Sequence, residues 1–233
     1  MSATQAPLSA DELAALAKLS TPTVANAIEV FEVQPRNTGF MNPTIRAIVT
    51  GPTPLVGYAC TAKIRAAAPR DPAVTATPRQ MWEHILSVPE PRVILIEDLD
   101  EEPIGSFWGE VQANIHRALG CAGAVTNGGV RDLDEVRALG FQLFAGSVMV
   151  SHAYVHVVEV GGPVTVGGLT VRPGEIVHGD QHGVAVIPRE IAREVPEGAR
   201  RVEERERAII DLCRSPEFSL DRLDALYSQP SGR

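Results

Sequence analysis

Lysine is almost missing from this chain: Lys18 and Lys63 are the only two among 233 residues. A covalent mechanism through a lysine imine therefore has two candidate amines and no more. Cysteine is nearly as scarce. Cys60, Cys121 and Cys213 are widely separated and form no CxxC, and an odd count fits a reducing compartment. Cys121 follows a glycine in an apolar run and reads as a buried, inert thiol. Positive charge is short as well: 21 Lys and Arg against 29 Asp and Glu leave a net charge of −8, with a pI near 5.3. A nucleic-acid binder would carry a basic patch and a high pI, so that class is set aside. No apolar run approaches the roughly 20 residues of a membrane span. The first residues show neither the basic nor the apolar region of a secretion signal. The expectation is a cytoplasmic protein without nucleic-acid or membrane partners. What is present suits one globular domain, with 44% hydrophobic and 21% charged residues.

Along the chain, residues 1–8 read as a loose arm. Ser9 caps a first helix through Leu13, Leu16 and Leu19. Thr21 and Pro22 open a second over 23–31. Alternating or continuous apolar runs predict strands at 45–50, 55–64, 92–96, 123–126, 142–145, 155–160 and 184–187, with a hairpin at 163–171. Residues 66–78 form a long Ala/Pro/Thr loop, read either as a flap or as a disordered segment. Asp98, nearest the end of its strand within a run of acids, is a candidate to line a site. The charged helix over 198–213 carries a thin stripe of Val202, Ile209 and Leu212, which suits packing on another subunit. The order of elements indicates a mixed α/β domain and argues against a doubly wound sheet. The division is an arm and helix over 1–19, a domain over 20–225 and a tail over 226–233.

The stretch from Phe107 to Val150 concentrates the chemistry. Trp108-Gly109-Glu110 opens a helix. The strand at 123–126 is broken by Asn127-Gly128-Gly129, and Arg131-Asp132 then lead into a helix over 133–139. Ligands in such units gather beyond the carboxyl ends of strands, beside helix N-termini whose unpaired N–H groups favour anions. Neighbouring residues at a helix start point about 100° apart, so one can face a metal and the other a substrate. Asp132 is a hard oxygen ligand suited to Mg²⁺ or Mn²⁺, and the Arg131 fork suits a carboxylate or an oxyanion. Gly109, Glu110, Val111 and Gln112 offer backbone N–H groups to a carboxylate. Farther on, His178, Asp180 and His182 alternate. A strand would put all three on one face as a second metal site; a turn would leave Asp180 bonded to backbone.

The run WGEVQANIHRALGCAGAVTNGGVRDLDEV, followed by GGPVTVGGLTVRPGEIVHGDQHGVAVIP, resembles the RraA-like family. That family includes class II 4-hydroxy-4-methyl-2-oxoglutarate aldolases and regulators of ribonuclease E, and the likeness spans roughly residues 20–225. It implies a mixed-sheet α/β fold, an αββα sandwich or swivelling β/β/α-like domain with N- and C-terminal helices. It further implies a metal-dependent lyase that releases pyruvate from a 4-hydroxy-2-oxo acid, with oxaloacetate decarboxylation as a side activity. By the same resemblance, Gly109 to Gln112 hold the substrate carboxylate, Arg131 contacts substrate and Asp132 ligates the metal directly. Glu110 assists the metal through water, and so does Glu206 of an adjacent subunit, with Glu203 and Glu204 as rivals for that place. A homotrimer or homohexamer is implied. The alternatives are a non-catalytic regulator of ribonuclease E, or a decarboxylase or hydratase using the same enolate site.

Overall fold

A computed structural model describes residues 6–228. Its helices are α1 (Ala10–Leu16), α2 (Thr21–Glu29), α3 (Pro78–Ser87), α4 (Glu110–Ala118), α5 (Leu133–Leu139), α6 (Val195–Arg214) and α7 (Leu220–Tyr227). Its strands are β1 (Arg46–Val49), β2 (Leu55–Arg65), β3 (Arg92–Asp98), β4 (Ser106–Trp108), β5 (Cys121–Val130), β6 (Gln142–Val148), β7 (His156–Val160), β8 (Val164–Val166), β9 (Leu169–Val171), β10 (Ile176–Asp180) and β11 (Gly183–Ile187).

Nine strands form one mixed sheet in the order β1-β6-β5-β3-β2-β10-β11, with β4 paired to β5 and β7 to β2. The centre, β2-β3-β5-β6, is parallel, as expected for strands joined through α3, α4 and α5. Its runs, such as RVILI in β3, are apolar on both faces because both faces are covered. β2 is the spine. Its first half pairs antiparallel with β10 and its second half with β7. The sheet curls until Phe144 of β6 meets Gly179 of β10, nearly closing a barrel.

Two cores result. On one face, Leu16, Val24, Ile85, Ala113, Val136 and Val195 bring α1 to α6 against the sheet. On the other, Val164, Val166 and Val171 of the β8-β9 hairpin cover Leu95, Val125 and Phe144. Each Val, Leu, Ile or Phe among them contributes about 1.5–3 kcal/mol when fully buried. The mixed α/β class expected from the sequence is the observed one, layered as helices, sheet and hairpin.

Four local expectations give way. The strand at 123–126 is not broken by Asn127-Gly128-Gly129: β5 continues to Val130. The Asn127 side chain accepts the Asp98 N–H and donates to the Asp98 carbonyl, both at 2.8 Å, which carries the strand across an irregularity in register. Short β4, unforeseen, then pairs with Gly129 and Val130. Residues 6–8 are not a loose arm. Leu8 is buried with its N–H donating to the Tyr58 hydroxyl, and Arg193 donates to the carbonyls of Ala6 and Pro7. Residues 1–5 of that arm and 229–233 of the tail lie outside the described residues. Finally, Ser20 rather than Thr21 caps α2, because the Thr21 hydroxyl is engaged by His178.

Candidate active site

The site begins where β4 and β5 end side by side, tied by the Arg131 N–H donating to the Trp108 carbonyl at 2.9 Å. Gly109 follows Trp108 and starts α4 in an extended conformation. Arg131 follows Val130, and Asp132 starts α5 in the left-handed region, with φ 54° and ψ 47°. That turn throws the Asp132 carboxylate back from its own helix towards the other one. Asp132 Oδ2 accepts the Glu110 N–H at 3.0 Å, and its side chain makes no capping bond to α5. Arg131 Nε stands 3.9 Å from the same oxygen.

Gly109 is what permits this approach. A Cβ there would lie 2.5 Å from Asp132 Oδ2 and 3.2 Å from Arg131 Cγ. Its backbone is extended, so space rather than φ demands the glycine. The N–H groups of Val111 and Gln112 have no acceptor among the described residues, as expected for a first helical turn. The edge is open: the Arg131 and Asp132 side chains are 35% and 39% exposed, and Val111 is 70% exposed. Gly109, Glu110, Val111, Gln112, Arg131 and Asp132 thus come together as the sequence suggested.

Beneath them lies an aromatic floor that the sequence reading did not single out. The Trp108 ring sits 4.7 Å from His116, 5.4 Å from Phe107 and 5.6 Å from Phe141. His116 donates from Nδ1 to the Gln112 carbonyl at 2.7 Å, holding the first turn of α4 from below. Burial pushes its pKa down to about 4, so the ring is neutral at ordinary pH. The available signal was spacing: His116 shares the buried face of Ala113 at helical period.

Other candidates fall elsewhere. Asp98 is buried at the end of β3, accepting the Asp100 N–H on Oδ1, while Oδ2 has no partner among the described residues. Burial raises its pKa. It abuts Gly128, a short way upstream of Arg131. Glu206 lies on α6, where Asn26 of α2 donates to it at 3.5 Å, and no described bond joins it to Arg131, Asp132 or Glu110. His178 is fully buried and committed to the Thr21 hydroxyl and the Leu16 carbonyl. Asp180 accepts the N–H groups of Thr21 and His182, so backbone bonding, not a second metal site, is the outcome there. Among the described residues, no three His, Cys, Asp or Glu side chains converge to hold an ion. Lys63 is paired with Glu159 at 2.9 Å. Burial pushes the Cys121 thiol up to about 12, in keeping with an inert group. The 66–78 loop is folded on itself, with Arg70 donating to the carbonyls of Val74 and Ala76. A cavity of about 350 Å³ lined by Lys18, Thr53, Gln142 and Asp180 sits at the opposite edge of the parallel strands. No described helix is long and apolar enough to cross a membrane.

For a divalent ion, the edge presents one carboxylate, Asp132, whose Oδ1 has no described partner, beside the exposed Glu110. Mg²⁺ commonly takes one or two carboxylates and keeps several waters, so this donor set fits it.

Comparison with known proteins bears on this edge. A family model for RraA-like proteins, described as Aldolase/RraA, matches residues 21–186. A protein of Halalkalibacterium halodurans, proposed to be a 4-hydroxy-4-methyl-2-oxoglutarate aldolase, is 30% identical over 52% of this chain and 60% of its own length. Protein DlpA of Legionella pneumophila is 28% identical over 63% of the chain and 24% of its own length. The chain thus spans less than two thirds of these curated relatives. A crystal structure from Pseudomonas syringae superposes with a TM-score of 0.73 at 26% identity, covering 97% of this chain and all of that one. RraAS2 of Streptomyces coelicolor, described as an unusual member of the RNase ES inhibitor RraA family, gives 0.69 at 21% identity, over 87% and 97%. That last likeness shows the fold.

Proposed function

The chain belongs to the RraA-like family, and on that premise we propose that it is a divalent-metal-dependent class II aldolase. Its substrate would be a 4-hydroxy-2-oxo acid, with or without a 4-methyl group, cleaved to pyruvate and a carbonyl product. The observation that carries this reading is the convergence of Arg131 and Asp132 over Gly109 and the free N–H groups of α4. A pure interaction module has no need of a metal-type carboxylate beside an arginine at an anion-binding helix start.

Asp132 would hold Mg²⁺ or Mn²⁺, with Glu110 assisting through water; when bound, the ion supplies Lewis-acid polarisation of the 2-oxo acid. The N–H groups of Glu110, Val111 and Gln112 receive the substrate carboxylate. Arg131 donates to the keto oxygen as negative charge develops on it. Glu110 would relay the proton leaving the C4 hydroxyl. The C3–C4 bond then breaks, its electron pair forms the pyruvate enolate, and protonation at C3 completes pyruvate. Oxaloacetate loses carbon dioxide through the same enolate, so decarboxylation is an expected side activity.

The open edge suits closure by a second copy. α6, α7 and the turn between them expose Ile210, Phe218, Leu220 and Tyr227, an apolar set that supports a homotrimer or homohexamer. In such an assembly Glu206 of a neighbour would reach the site that it does not reach in its own chain. The test is pyruvate release from a panel of 4-hydroxy-2-oxo acids with Mg²⁺ or Mn²⁺, with and without chelator. Chelator-sensitive release supports the aldolase. No turnover across the panel and with oxaloacetate leaves the ribonuclease-regulator alternative in its place.

A further inference from the structure

Asp132 occupies a place that the proposed reaction needs for something else. Three N–H groups open the first turn of α4, and Asp132 Oδ2 already accepts the first of them, from Glu110 at 3.0 Å. Those of Val111 and Gln112 have no acceptor among the described residues. A substrate carboxylate approaching this turn therefore meets an acid seated there and its negative charge. Arg131 Nε, at 3.9 Å, offsets that charge only in part. The seated carboxylate is lightly held. It makes no bond to its own helix, its other oxygen has no described partner, and its backbone is left-handed, a region that apart from glycine mainly Asn and Asp adopt. Gly109, without a side chain, is what lets a carboxylate come this close to the turn.

We infer that Asp132 is an internal competitor for the anion seat at the start of α4. Its carboxylate holds the Glu110 N–H in the free protein and cedes it to the substrate carboxylate when engaged by a divalent cation. This rests on the proposed reading of the site and adds a binding order to it, cation before 2-oxo acid. An acid that merely capped α4 would give no such order, because its removal would leave the helix frayed and the seat no better for an anion.

Pyruvate is the probe, measured by calorimetry and by backbone amide NMR on metal-free wild type, Asp132→Ala and Asp132→Gly. The glycine variant suits the left-handed backbone and guards against a folding loss in the alanine variant. Without metal, a folded variant should bind pyruvate at least about tenfold more tightly than wild type, the scale of one charge-assisted hydrogen bond, with shifts at Glu110 to Gln112. Mg²⁺ should tighten pyruvate binding to wild type by at least about tenfold and leave the variants unchanged. In wild type alone, Mg²⁺ should move the Glu110 amide resonance. Metal-free variants that bind no better than wild type overturn the inference, as does a Glu110 amide indifferent to Mg²⁺. Failure of the aldolase reading is separate: it shows as absent pyruvate release by wild type, whichever way the metal-free comparison falls.

Discussion

Two acids of this fold sit at the start of a helix that is not their own, and they are treated differently. Asp180, at the end of β10, gives Oδ2 to the Thr21 N–H of α2 and Oδ1 to the N–H and ring of His182, and its side chain is 13% exposed. Asp132 gives one oxygen to α4, has no partner for the other among the described residues and is 39% exposed. Burial on its own would raise the Asp180 pKa, but the hydrogen bonds from Thr21 and His182 outweigh it and hold the carboxyl below its ordinary value. With His178 beside it, Asp180 clamps the α1–α2 junction to the sheet. A helix start filled on every side is a joint; one filled on half a carboxylate keeps capacity for exchange.

Gly109→Ala attacks the difference most directly. A methyl 2.5 Å from Asp132 Oδ2 must displace it. Pyruvate-forming kcat/KM should fall on the order of 100-fold, as misplacing a reacting group by about an ångström does. A variant within twofold of wild type would show that the close approach of α4 and Asp132 is incidental.

The floor under the same edge gives the next effect. The His116 pKa of about 4 in the fold lies below the ordinary value near 6.5, so the unfolded chain binds the extra proton between the two. Stability should be full above about pH 6.5 and fall by up to about 1.4 kcal/mol per pH unit towards pH 4. Buried His178, lowered by desolvation, acts in the same sense on the Asp180 side. Urea titrations of His116→Phe across this pH range should show stability falling less steeply, and a dependence unchanged from wild type would place the sensitivity at the other lowered histidines, His178 and His84.

Asp180→Ala and Asp132→Gly separate the two acids by stability rather than rate. Removing Asp180 strands the Thr21 N–H in a part-buried setting and should cost about 1–3 kcal/mol. Removing the Asp132 carboxylate, exposed and bonded once among the described residues, should stay within about 0.5 kcal/mol in the glycine variant, which suits its left-handed backbone. Equal losses in chemical denaturation would erase the contrast. With its folded pKa depressed, Asp180 contributes stability that is present above about pH 4 and lost as pH falls through its folded value; an Asp180→Asn variant should lack that acid increment. The smallest effect belongs to the exposed pairs of Arg200 with Glu197 and Glu204 on α6: Arg200→Ala should change melting by less than the Asp180 variant does.

Much of this was legible beforehand for physical reasons that differ by residue. Central strands such as Arg92–Asp98 show themselves because burial on both faces requires a continuous apolar run. The α5 start was found because Arg131-Asp132 stand between a strand signal and a helical period. The extension of β5 across Asn127-Gly128-Gly129 was not legible, since it depends on a reciprocal pairing with Asp98 that lies far away in sequence. The inward turn of the 178–182 stretch is similar: alternation alone allowed a ligand face, and only the position of α2 shows what the acids and imidazoles are bonded to. His116 was within reach, but a histidine on an apolar face does not announce which backbone carbonyl it will hold.

The double pairing of β2 has a consequence for how the chain comes into being. Its second half can join β3 early, yet its first half lacks one edge partner until β10 has been synthesised. At 5–20 residues per second, that wait is on the order of ten seconds. Throughout it, Leu55 and Ala59 have no barrel to close over them. A nascent chain stalled between β9 and β10 would therefore present an unpaired strand edge and an open apolar interior, the surface on which holding chaperones act and from which sheet-to-sheet aggregation starts.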